Sequence, residues 1–437
     1  MTHRTTRREF LATAGVGLLA ADPLLAAVQG PGQRIRFACI GVGGKGDSDT
    51  ADAARLGEVV AICDVDENTL NQAALKYPGA RPYTDYRKML KEMGERIDAV
   101  TVSTPDHHHA PAASLAMQMG KHCFCQKPLT HSIWEARRLG DLARKRKLAT
   151  QMGNQGTADT SLRQTAALVR GGALGRVAEV HVWTNRPIWP QGGPRPEPKP
   201  VPSNLHWDEW IGPAPERPYG DGYHPFAWRG WWDFGTGALG DMACHTVNMP
   251  FMALDLRNPV SVVAQTSGHN PDSYPKWSVI TFQFPATRLR PALKMVWYDG
   301  GKLPPIELFR GGRFEDLVVD NKIADSGSLI IGDKDTLYTP GDYGGGGRFI
   351  HTTPAPVPVT ESPGHFEEWV RAIAGGPPAV SNFPDYAGPL TETILLGNLA
   401  VWADGKKIEW DARSLRARNA PEVSSIVRRR YRSGYSA

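Results

Sequence analysis

The chain has 437 residues, 41% apolar and 22% charged, long enough for two cores and too ordinary in composition for a fibrous, disordered or disulfide-stapled protein. Its formal net charge of +5 gathers partly at the ends, in Arg4, Arg7 and Arg8 and in Arg428, Arg429, Arg430 and Arg432. No nucleic-acid module is legible, and the C-terminal run reads as a short solvated arm. The cysteines, Cys39, Cys63, Cys123, Cys125 and Cys244, are an odd, sparse set and read as buried small hydrophobes rather than a disulfide framework.

Residues 1–30 read as an export signal outside the fold. Arg7-Arg8-Glu9-Phe10-Leu11 leads an apolar stretch ending near Ala21, followed by small residues at Leu25-Ala26-Ala27. That is a charged region, a short apolar region and a cleavage site. The paired arginines resemble a twin-arginine signal, which carries folded proteins out of the cytoplasm. The apolar run is too short for a stable membrane anchor. The expectation is an extracytoplasmic, periplasmic protein exported with any cofactor already bound.

Residues 31–155 alternate short apolar runs with helical patterns, the signature of a parallel sheet covered by helices. Strands are expected at Ile35–Ile40, Val59–Cys63, Ala99–Ser103, His122–Cys125 and Leu148–Met152. Helices are expected over Asn68–Lys76, Ala112–Met119 and Ile133–Lys147, the last with Ile133, Ala136, Leu139, Leu142 and Ala143 on one face. Residues 156–437 read differently. A helix over Ser161–Arg170 and a strand over Val177–Trp183 precede a Pro/Gly-rich loop, Pro187–Pro218, too long for a simple connector. Further strands are expected at Ser261–Ala264, Ser278–Phe284 and Leu293–Trp297, a surface loop over Gly341–Val359, and closing helices over Phe366–Ile373 and Leu390–Ala403. The closing helices are placed back against the first domain. The fold class is α/β: a doubly wound parallel sheet, then an α+β domain with an open, largely antiparallel sheet.

The first strand runs into Gly41-Val42-Gly43-Gly44-Lys45-Gly46, which fits G-x-G-x-x-G at Gly41, Gly43 and Gly46, and Asp64 closes the next strand. This strand–turn–helix context is the fingerprint of a Rossmann dinucleotide site. Gly41 allows the tight turn, Gly43 and Gly44 the approach of pyrophosphate, and Gly46 close packing of the helix. Asp64 accepts the adenosine ribose hydroxyls and disfavours a 2′-phosphate, so NAD is expected over NADP, with Lys45 as a complication.

Two clusters carry the chemistry: Gln126-Lys127-Pro128 at the end of a parallel strand, and the turn Gly235–Gly240 leading into Asp241 and His245. Four residues apart on a helix, Asp241 and His245 share one face. With the glycine fingerprint and Thr104-Pro105 ahead of the histidines His107, His108 and His109, these motifs resemble the glucose–fructose oxidoreductase/inositol dehydrogenase (Gfo/Idh/MocA) family. The resemblance covers nearly everything after the signal. It implies tightly held NAD, a sugar, glycoside or polyol substrate, pairing into dimers or tetramers, and Lys127, Asp241 and His245 in the catalytic positions. It also implies Thr104, Pro105, Lys127 and His109 near the cofactor. The family's motif has Glu where this chain has Gln126, which is expected to make Lys127 easier to deprotonate.

In this reading His245 takes the hydroxyl proton, Asp241 orients it, and Lys127 steadies charge on the reacting oxygen. Seven of the thirteen tryptophans fall between Trp183 and Trp232, and aromatic faces suit sugar rings. Asn154, Arg229 and Trp183 are the candidate substrate contacts. No metal is expected; ligation by Asp241 and His245 with the histidine run is the minor alternative. Two other functions compete: a redox-neutral, NAD-dependent glycoside hydrolase or lyase, and a non-catalytic sugar-binding relative.

Overall fold

The computed structural model describes residues 34–318, 320 and 322–437; the export signal lies outside them. Six parallel strands form the first sheet: β1 (Arg36–Ile40), β2 (Glu58–Cys63), β3 (Arg81–Tyr83), β4 (Ala99–Val102), β5 (His122–Cys125) and β6 (Thr150–Met152). Their order is β3-β2-β1-β4-β5-β6, so the chain reverses direction across the sheet between β1 and β4. In such sheets ligands bind beyond the carboxyl ends of the strands at that crevice. Both faces are covered, and β4 is buried at every position, as expected of a parallel strand between helix layers.

The helix Ile133–Arg146 begins where its sequence says it should. Glu135 reaches back to the Ser132 N–H (2.8 Å), satisfying a donor that the first helical turn leaves open. The helix Asp106–Gln118 begins six residues before the expected Ala112 and takes in all three histidines. His107 and His108 are buried against a backbone oxygen of the second domain: both His107 Nε2 and His108 Nε2 lie 2.9 Å from Trp210 O.

The second sheet has nine strands in the order β13-β12-β11-β7-β10-β9-β8-β14-β15. They are β7 (Val177–Trp183), β8 (Ser261–Thr266), β9 (Ser278–Phe284), β10 (Leu293–Tyr298), β11 (Gly327–Gly332), β12 (Thr336–Pro340), β13 (Arg348–Phe349), β14 (Ile408–Asp411) and β15 (Arg416–Ala417). Only β7 and β10 pair in parallel. The fold is thus a parallel α/β sheet followed by a mixed, mostly antiparallel one. The helix Gly237–Thr246 packs between the sheets and is buried along its whole length. The helix His365–Ile373 returns to the first sheet, with Phe366 and Trp369 against Phe124.

Residues 428–437 are not a solvated arm. Arg429 Nε and Tyr431 Oη meet the fully buried Glu135 carboxylate at 2.8 and 2.5 Å. Arg432 donates to Gly212 O (2.9 Å) and Asp208 O (2.8 Å). The Arg87 guanidinium lies 4.3 Å from the Tyr435 ring centre. A basic segment interleaved with tyrosines has become a strap joining the first domain to the stretch around Asp208 and Gly212. All five cysteines are buried and free. No helix among the described residues is long and apolar enough to cross a membrane.

Candidate active site

A cleft of about 700 Å³ opens beyond the carboxyl ends of the parallel strands; Gly41, Asp64, Thr104, Lys127, Asp241 and His245 all line it. The glycine turn forms one end. At Gly41, where φ is +77°, a Cβ would stand 2.6 Å from Ser103 O, so both conformation and space demand glycine. A Cβ on Gly46 would meet Gly41 O at 1.9 Å, whereas at Gly44, with φ of +54°, nothing lies within 4 Å. The turn is tight underneath and open above, the shape a pyrophosphate needs at a helix N-terminus. Lys45 is held aside, donating to Asp49 Oδ1 (2.6 Å) and Ser48 Oγ (2.8 Å).

Asp64 closes β2. Its oxygens accept the N–H groups of Val42 and Asp66, each at 3.0 Å. Burial raises its carboxyl pKa while these two hydrogen bonds oppose the shift. Asp66 and Glu209 line the same end, an acidic surrounding unsuited to an additional phosphate. These residues fit NAD. When bound, NAD supplies the hydride acceptor or donor.

At the other end, Lys127 follows β5 and donates to both Asp241 O (2.6 Å) and Asp241 Oδ1 (2.9 Å). Asp241 also meets Arg229 Nε at 3.0 Å and Arg186 Nε at 3.6 Å. Burial alone would raise this carboxyl, but Lys127 and Arg229 overcome it and hold the pKa down at about 2. One helical turn later, His245 Nδ1 lies 2.9 Å from Asn154 Oδ1. The amide is oriented by its own Nδ2, which donates to Cys244 O at 2.6 Å. His245 therefore carries its hydrogen on Nδ1 and a lone pair on Nε2. Burial and then the charge of Lys127 lower its pKa to about 3, against the pull of Asp241. The ring is neutral near pH 7, displaced well below the near-neutral value its residue type implies.

Lys127, Asp241, His245 and Arg229 converge in the cleft, and Gly41, Gly43, Gly44, Asp64, Thr104 and Pro105 line its cofactor end. Gly46 supports the turn from beneath. Three expected residues stand elsewhere. Trp183 is fully buried on β7, stacked on Tyr338 and edge-on to Phe309; strand alternation turns it into an apolar cluster away from the cleft. Asn154 is fully buried behind His245 and positions the imidazole instead of reaching solvent. His109 is buried with its ring nitrogens 2.8 Å from Pro128 O and 2.9 Å from Thr104 O, so it braces the two loops from below. His107 and His108 face Trp210 O and do not join Asp241 and His245. Among the described residues no group of three or more His, Cys, Asp or Glu is placed to hold a metal.

Gln126 in place of Glu also acquires a cause. Its Nε2 donates to Asp49 Oδ2 at 2.8 Å in a buried pair, where a second carboxylate would be repelled. Lys127 still has a carboxylate partner, supplied by Asp241. Sequence reading missed Arg186 and Tyr343. Arg186 stands between the end of β7 and the long Pro/Gly-rich loop that begins at Pro187, whose excess length was the available signal. Tyr343 comes from the expected surface loop and stands edge-on to His245, ring centres 4.9 Å apart. The aromatic wall is Trp189, Phe226 and Trp228.

A glycine turn, an acidic strand end and a lysine–aspartate–histidine cluster in one cleft define a dinucleotide-dependent oxidoreductase. The chain matches the "Oxidoreductase family, NAD-binding Rossmann fold" over residues 35–154 and the "Oxidoreductase family, C-terminal alpha/beta domain" over residues 159–288. It belongs to the Gfo/Idh/MocA family of NAD-binding oxidoreductases. It is 30% identical over 171 residues to a glycosyl hydrolase family 109 protein of Shewanella pealeana, an alignment covering 32% of this chain and 38% of that protein. It is 28% identical over 126 residues to inositol 2-dehydrogenase of Salmonella paratyphi B, covering 28% of this chain and 37% of that enzyme. The chain thus matches less than half the length of either relative. The WlbA dehydrogenase of Bordetella pertussis, solved with NADH and UDP-GlcNAcA, shares the fold with a TM-score of 0.61 at 19% identity, covering 87% of this chain and 99% of that one.

Proposed function

We propose that this oxidoreductase transfers a hydride between NAD and a hydroxyl carbon of a sugar, glycoside or polyol, with Lys127, Asp241 and His245 as the catalytic residues. The observation that carries the reading is their convergence in the cleft that begins at the glycine turn. Lys127 spends two of its three donors on Asp241, leaving one for the reacting oxygen, whose developing charge its ammonium stabilises. His245 Nε2 is the proton acceptor. Asp241 favours the imidazolium as it forms, compensating for the low basicity of a buried ring. The inositol dehydrogenase relative supports the substrate class.

The test is to purify the protein with its nucleotide, identify the nucleotide, and follow reduced nicotinamide by absorbance across a sugar and polyol panel. Lys127→Ala and His245→Ala are expected to keep the nucleotide and lose turnover. Wild-type turnover in both variants refutes the assignment.

A second reading, redox-neutral glycoside cleavage through a transient ketosugar, is favoured by the family 109 relative. Free sugar without net reduced nucleotide or ketosugar identifies it. Export through the twin-arginine route, with NAD tightly bound before transit, belongs to the same proposal and is supported by Arg7-Arg8 ahead of the apolar stretch. So does assembly into dimers or tetramers through the open sheet, which light scattering tests.

A further inference from the structure

The catalytic end of the cleft carries an excess of positive charge. Lys127, Arg186 and Arg229 all lie within 3.6 Å of the Asp241 carboxylate, with side chains 16%, 20% and 26% exposed and Asp241 at 10%. A further carboxylate of the cleft, Asp106, is buried and accepts from Thr236 Oγ1 at 2.6 Å. Three cations thus face two carboxylates at most, and His245 is neutral. The other acids of the cleft, Asp64, Asp66, Asp85 and Glu209, belong to the stretches after β2 and β3 and to the helix Trp207–Ile211.

Partly buried cations are costly without anionic partners, and the two arginines present unused donors. Arg229 commits only Nε; its Nη1 and Nη2 make no hydrogen bond among the described residues. Its guanidinium is held over Trp228 at 4.2 Å from the ring centre, with Phe226 at 5.6 Å and Trp189 at 5.9 Å. Arg186 commits Nη1 to Asn185 Oδ1 and aims Nε at Asp241. A pyrophosphate at the glycine turn has the backbone N–H groups of that turn for partners, whereas these two arginines are tied to the helix that carries Asp241 and His245. A planar guanidinium with free donors beside an aromatic wall suits an oxyanion attached to a sugar ring.

We infer that the substrate is an anionic sugar, whose carboxylate or phosphate is bound by Arg186 and Arg229 next to the hydroxyl that reacts. This rests on reading the cleft as the substrate site. It adds a requirement that a neutral hexose or polyol does not meet.

The test uses the nucleotide-loaded protein and two readouts, calorimetric binding and reduction of the bound nucleotide. D-glucuronate and D-galacturonate are compared with their methyl esters, and D-glucose 6-phosphate and D-galactose 6-phosphate with the parent hexoses. At least one anion is expected to bind about tenfold or more tightly than its neutral counterpart, with the preference shrinking as salt rises. The two arms show whether carboxylate or phosphate is the group recognised. Arg229→Gln and, separately, Arg186→Gln are expected to abolish the preference while the nucleotide content stays as in the wild type. Equal binding of anion and neutral partner, absence of binding by every anion, or an unchanged preference in both variants overturns the inference. Preferential anion binding without nucleotide reduction upholds it and counts against the proposed hydride transfer. Reduction by neutral sugars alone does the reverse.

Discussion

Asn154→Leu removes the acceptor for His245 Nδ1 without opening a large void. Of the two hydrogen bonds it deletes, the one to His245 is 2.9 Å long and buried, and an imidazole N–H left unpartnered in such a place costs on the order of 1–3 kcal/mol. Since about 1.4 kcal/mol is a factor of ten, the population of the productive tautomer and ring orientation falls roughly five- to 150-fold. That loss falls on kcat, because Asn154 does not reach the cleft, and KM changes little. Asn154→Asp separates positioning from general damage. A carboxylate facing Nδ1 raises the His245 pKa from about 3, so the acid limb of the kcat–pH profile moves upward. The assay is reduction of bound nucleotide under single-turnover conditions across pH, with nucleotide content as the folding control. A wild-type kcat in Asn154→Leu, or an unmoved acid limb in an active Asn154→Asp, refutes the reasoning.

Acid lability follows from the buried histidines. Burial lowers His245 to about 3 and His108 and His365 to about 4, from 6.5. Below 6.5 the unfolded chain takes up protons that the folded chain refuses, so stability falls as the pH drops from there towards 4. At about pH 5 each of the three costs about 2 kcal/mol, read as a fall in the urea midpoint; an unchanged midpoint between about pH 7.5 and pH 5 contradicts the burial argument. Gly41→Ala forces a side chain into positive φ and against Ser103 O, and is expected to cost about 1–3 kcal/mol and release the nucleotide on purification. Full nucleotide content in that variant would contradict the geometry of the turn.

The first domain was legible because its signals are local. Strand His122–Cys125 stands as read, and the glycine turn and Asp64 fall where spacing put them. Legibility failed where a residue's place depends on distant chain. Trp183 lies on an alternating strand, but alternation does not say which face meets the cleft. The histidine run fell outside the helix expected over Ala112–Met119, because the burial of His107 and His108 depends on the distant Trp210 carbonyl that receives them. Strands β11 and β12 were missed although Leu329-Ile330-Ile331 and Leu337-Tyr338 carry apolar character, because short strands amid Gly and Asp do not stand out. Arg186 and Tyr343 come from loops that only the tertiary fold brings to Asp241 and His245. In the C-terminal strap, the tyrosines among the arginines were the available hint, since solvated basic arms have little use for aromatic rings.

A crystal structure of the NAD-loaded protein is the most direct test. The pyrophosphate is expected against Gly43 and Gly44, the ribose at Asp64, and the nicotinamide C4 facing the space between Lys127 Nζ and His245 Nε2. A nicotinamide ring turned away from those two nitrogens, with the protein otherwise folded as described, would contradict the roles assigned to them.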